Sequence, residues 1–197
     1  MGIVASLALT AGLAAADSDT GGDGGINGDA DKAFQVEQLG GSSSGAEATP
    51  ALSRGDLAFI DQALSHGMFQ VRSSQIVLER PLKDPREEIF AQMMIDENSL
   101  VNRQLQKLVQ DKGYVASTRI DDAHQAMLDE LADLDGDELQ KRYHGHQVTA
   151  QQESIELYEN AAREVEDPQV RAFALETLTT VRAHADHLGT HDAEIGR

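Results

Sequence analysis

The sequence predicts an all-α protein, a ferritin-like four-helix bundle with a long, partly helical connection between its second and third long helices. Three observations carry that reading. Beyond Ser53 the apolar residues recur at helical spacing, and no segment alternates as a strand does. Asp, Ser, Pro and Gly fall where helices start and stop. The connection from Gly113 to Gly136 is much longer than those around Pro81 and Glu166. Short loops join antiparallel neighbours, whereas a connection this long can travel the length of a bundle.

The elements follow in order. Ile3 to Leu13 is a short apolar run followed by Ala14-Ala15-Ala16, the small residues a signal peptidase reads, so residues 1–16 are expected to be a secretory signal peptide. The run is too short for a membrane-spanning helix. Residues 17–52 are rich in Gly, Ser and Asp and poor in large apolar side chains, the composition of a disordered acidic segment. The bundle domain is expected over 53–190, with a tail over 191–197.

Within that domain Ser53 can cap a helix from Arg54 to Arg80, with Asp56 in its first turn and Pro81 beyond its end. Asp84-Pro85 opens the second helix, cap followed by proline at the first helical position, and Gly113 stops it. A short helix is expected over Asp122–Leu134, broken by Asp135-Gly136, and a long one over Asp137–Glu164. Asp167-Pro168 repeats the cap-then-proline start for a last helix reaching about Leu188.

Composition excludes some functions. The net charge is -18, with 34 acidic against 16 basic side chains, so nucleic-acid backbones and anionic membranes are repelled. No cysteine is present, which removes disulfides, thiolate metal sites and cysteine nucleophiles. No stable membrane span is expected after cleavage. A homo-oligomer or an envelope-protein partner is left open.

Heptad spacing picks out buried stripes. The second helix offers Phe90, Met93, Glu97, Val101, Gln104 and Leu108. The next long helix offers His144, Val148, Gln151, Ile155, Tyr158, Ala162 and Val165, and the last Val170, Ala174, Thr177, Val181, His184, Leu188 and His191. In the first helix Ala63, His66, Gln70, Ser73 and Val77 flank a more apolar Leu57, Leu64, Val71 and Leu78. Gln70, Glu97, Gln151 and His184 therefore form a mid-bundle polar layer. Burying Glu97 is costly unless it finds a protonated histidine, a metal, a donor or a route to solvent.

Folding the last hairpin about Glu166 brings His144, His146, His184, His187 and His191 towards one end, and His184, His187 and His191 share a helix at i, i+3 and i+7. Such imidazoles are candidate ligands for zinc, copper or nickel. The alternative is solvated or helix-capping histidines. No nucleophile elbow, phosphate loop or metalloprotease helix occurs, and no catalytic residue is assigned.

Ala58 to Leu78, Ala91 to Asp96, the helix led by Tyr143, and Thr177 to Leu188 together resemble the bacterial family called domain of unknown function 4142. The resemblance spans about Asp56 to Leu188 and implies a ferritin-like fold and export. Ala63, Gly67, Met68, Met94, Asp96, Tyr143, Leu178 and His184 match its motifs. Gln70 stands where the family usually has Glu, Glu97 and Gln151 where it has His, and Thr179 where it has Pro. The resemblance implies an altered mid-bundle layer and transfers no activity. The sequence thus leads to a non-enzymatic exported envelope or stress-associated bundle, with a metal-binding or redox ferritin-like protein as the alternative.

Overall fold

In the computed structural model of the protein, the backbone is described for residues 51–195 and side chains through Gly189. The expected signal peptide, nearly all of the acidic segment, the side chain of His191 and the last two residues lie outside the described part. Five helices follow: α1 (Arg54–Leu78), α2 (Pro85–Gln110), α3 (Asp122–Ala132), α4 (Gly136–Glu164) and α5 (Pro168–Ile195). Among the described residues there is no strand.

The predicted caps form. Ser53 accepts from the Asp56 amide while Asp56 accepts from the Ser53 amide, closing a reciprocal box. Asp84 accepts from the Arg86 amide ahead of α2, and Asp167 accepts from the Gln169 and Val170 amides ahead of α5. At the end of α2 the Tyr114 amide reaches back to the Val109 carbonyl at 2.9 Å across Gly113, whose φ of 80° is left-handed. Only glycine adopts that conformation without cost, which is why the helix stops there. Helix α5 continues past Leu188 to Ile195 because Gly189 does not break it.

Contacts at the two ends of α1 set the topology. Near its start, Asp61 accepts from the Tyr114 hydroxyl just after α2, and Asp56 accepts from the Glu166 amide between α4 and α5. Near its end, Arg80 donates to Asp135 just before α4. The segment from Tyr114 to Asp135 therefore climbs the whole bundle, making α2 and α4 parallel. This is the crossover that the long middle connection predicts. Around the bundle α1 packs on α2 and α4, and α5 packs on α4 and α2, while α3 lies against α1 and α4.

That extra layer explains why α1 is buried over most of its circumference, including Phe59, Ile60, Leu64, Phe69 and Val77. The expected flank of Ala63, Gln70, Ser73 and Val77 is core, whereas Leu57, Val71 and Leu78 are only partly buried. On α5 the expected stripe from Val170 to Leu188 is buried as read. On α2 and α4 the buried face is turned by about one residue: Ala91, Met94, Leu105 and Val109 replace Met93, Val101, Gln104 and Leu108, and Tyr143, Gln147 and Ala161 replace His144, Val148 and Ala162. A helix of mixed composition supports two neighbouring stripes, and the packing partner selects between them. Gly67 lies where α1 and α2 approach closely; a Cβ there would overlap the Asn102 carboxamide.

Candidate functional site

The mid-bundle layer forms around His184. Its ring is 4% exposed, and Nε2 lies 2.8 Å from Glu97 Oε2. Burial lowers the imidazole below the ordinary histidine value, against the opposing pull of Glu97. The Glu97 side chain is 46% exposed. The carboxylate thus has both a histidine partner and a route to water, which removes the cost that full burial would carry.

Gln70 and Gln151 line the same small cavity as His184, with Asn98, Ser154 and Thr177; its volume of about 20 Å³ admits one water-sized group. Both amide atoms of Gln70 lack a hydrogen-bond partner among the described residues. Gln151 Nε2 donates to Met94 Sδ at 3.9 Å. Two buried pairs that the sequence reading did not include extend the layer: Gln147 donates to Ser73 Oγ at 2.9 Å, and Tyr143 meets the Ser74 hydroxyl at 2.9 Å.

Three of the histidines of α4 and α5 take separate partners. His146 Nε2 lies 3.0 Å from Glu130 of α3, His184 pairs with Glu97, and His187 stacks on Phe90 at 5.2 Å between ring centres. His144 and His187 line one pocket with Tyr143 and Phe90.

A different set of groups converges. Ligand atoms of His66 on α1, His124 on α3 and Glu153 on α4 all lie within 4.8 Å of one another. His124 is 3% exposed. Its Nδ1 lies 2.6 Å from Asp121 Oδ2, while Nε2 has no hydrogen-bond partner among the described residues and stands 3.4 Å from Glu153 Oε2. Asp121 is itself fixed: the Ser65 hydroxyl donates to Oδ2 at 2.6 Å and the His124 amide to Oδ1 at 3.0 Å. Burial alone would raise this carboxyl, but the donors from His124 and Ser65 hold it well below the usual carboxylate range.

His66 completes the group. Its Nδ1 lies 3.1 Å from Ser154 Oγ, and its ring meets that of His124 edge-on with centres 4.6 Å apart. Burial first, and then the neighbouring His124, lower it to about 4. The imidazole is therefore neutral at physiological pH with a nitrogen lone pair to share. Phe69 covers His124 on another side at 4.7 Å.

Sequence reasoning missed this trio because its members come from three elements with no local spacing between them. One signal existed for His124: it shares a stripe with Leu128 and Leu131, the other buried residues of α3. Glu153, on the outer face of α4, carried none.

Comparison with known proteins places the chain. The model of the domain of unknown function DUF4142 matches residues 41–190. The chain belongs to the DUF4142 family. No curated protein matches it. Among solved structures, this DUF4142 member is similar to a DUF305 fragment from Deinococcus radiodurans, with a TM-score of 0.63 at 15% identity, covering 72% of this chain and 97% of the other. It is also similar to CopM in its Cu(I)-bound form, with a TM-score of 0.58 at 14% identity, covering 71% of this chain and 96% of that one. At such identities the likeness is one of fold, and both matches are to helical bundles. Among the described residues of the DUF4142 chain, no helix is long and apolar enough to cross a membrane.

Proposed function

We propose that this protein is a metal-binding helical bundle whose site for one divalent transition-metal ion is formed by His66, His124 and Glu153. The observation that carries the reading is the buried Nε2 of His124, which points at Glu153 without a hydrogen bond while Asp121 orients the ring from the other side. A carboxylate holding the far nitrogen of a ligating histidine is the usual outer-shell arrangement of a metal site. Imidazole and carboxylate donors suit zinc, copper or nickel. CopM, a similar fold, is described bound to Cu(I); the trio here contains no sulfur, so the ion is argued from these donors alone.

The setting we propose is the cell envelope, supported by the apolar run Ile3 to Leu13 and by Ala14-Ala15-Ala16. The protein's role there is binding and not catalysis.

Calorimetric titration of tag-free protein with Zn²⁺ at neutral pH tests the site. One equivalent of saturable uptake is expected, lost in His124→Gln and retained when His184 and His187 are both replaced by Gln. No uptake would sink the assignment, and uptake that disappears only in the His184/His187 variant would sink it and return the histidines of α5 as the ligands.

A further inference from the structure

Resting on that metal-binding reading, we propose that the His66–His124–Glu153 site is an open one: a bound divalent ion keeps at least one coordination position that exchanges with solvent and accepts a small monodentate anion. A closed structural site needs four protein donors, whereas two histidines and one carboxylate leave positions free.

The other polar groups beside the trio are engaged elsewhere. Both oxygens of Asp121 accept hydrogen bonds, from the Ser65 hydroxyl and from the amide and ring of His124. The Ser154 hydroxyl is bonded to His66 Nδ1. Phe69 covers His124 with carbon. Among the described residues no further His, Cys, Asp or Glu joins the group.

Burial is also one-sided. The His124 side chain is 4% exposed and that of Glu153 is 47% exposed. An ion held here has imidazoles on its inner side and the half-exposed carboxylate towards water, so the free position faces solvent. Bond lengths of roughly 2.0 to 2.2 Å to each donor require donor atoms about 4.3 Å apart or less. Donors already within 4.8 Å of one another reach that spacing by side-chain movements of a few tenths of an ångström.

Cobalt(II) is the probe, because its visible absorption reports coordination number and ligand exchange. Full-length tag-free protein is loaded with one equivalent of Co²⁺ and titrated with sodium azide. The expected result is a saturable change in the visible bands of the loaded protein, together with Co²⁺ affinity that falls at least ~10-fold in Glu153→Gln, a surface change that leaves the helices intact. Co²⁺ bound in a His124-dependent manner but with a spectrum unmoved by azide would overturn the open position and leave the metal-binding reading standing. No Co²⁺ uptake, or uptake indifferent to both His124→Gln and Glu153→Gln, would overturn the metal-binding reading itself and this inference with it. Far-ultraviolet circular dichroism of each variant separates loss of a ligand from loss of fold.

Discussion

At the scale of single residues, burial changes the chemistry of a histidine more than its sequence neighbours do. His66 binds protons with a value near 6.5 in an unfolded chain and about 4 in the folded one. Between those values the unfolded state holds more protons than the native state, so stability rises with pH. It is complete above about pH 7 and is lost as the pH falls towards 4. His184, also lowered by burial, acts in the same direction. Asp121 contributes little to this window, since a depressed carboxyl loses its stabilisation only at lower pH, below about 5. In the metal-free protein His66 should therefore account for a loss on the order of 2 kcal/mol between pH 7 and pH 5. Urea unfolding of wild type and His66→Gln across that range checks it. An equally steep loss in the variant would show that the neutral buried ring is not the source.

At the scale of elements, the ends of helices are tied to one another by charged groups taken out of water. Lys112, just after α2, lies 2.8 Å from Asp167 at the start of α5, with side-chain exposures of 5% and 3%. Burial would raise Asp167; the lysine and the Gln169 and Val170 amides overcome that and lower it. Removing one member of such a pair leaves an uncompensated buried charge. Lys112→Met is expected to destabilise the protein by about 3 kcal/mol, at the lower end of the range because two amides still face Asp167. Adding Asp167→Asn, which keeps the cap while removing the charge, should restore part of the loss. Chemical denaturation of the single and double variants decides it, and a double variant less stable than Lys112→Met would contradict this account.

At the scale of the whole molecule, the crossover brings α3 against both α1 and α4, and this placement gathers the residues of the proposed metal site. The ion would join three elements that are remote along the chain. A net charge of -18 favours cations near the surface without selecting among them. Selection falls to the imidazoles, and burial is what keeps that of His66 neutral. The proposed export also belongs to this scale: mass spectrometry of the protein from its host is expected to find a mature chain beginning at Asp17. Peptides spanning the Ala16–Asp17 junction in the cytoplasmic fraction would refute export.

How much of this was legible in the sequence follows from the range of the forces involved. Helix starts at Ser53, Asp84 and Asp167, the stop at Gly113 and the crossover after it are written in residues that act on their own backbone or on loop length, so the sequence by itself determined the helices and their order. The buried stripe of α5 was legible because Val170, Ala174, Val181 and Leu188 recur at helical spacing, and that face is the one buried. On α2 and α4 two adjacent faces are nearly as apolar as each other, and contact with the neighbouring helices decided which one is buried. Glu97 paired with His184 as the mid-bundle reading allowed, but Gln147 entered the layer only through the phase that packing imposed. The site at His66, His124 and Glu153 was decided by tertiary structure alone. Metal ligands act through space over a few ångströms, and only the return of α3 along the bundle brings these three side chains within that distance.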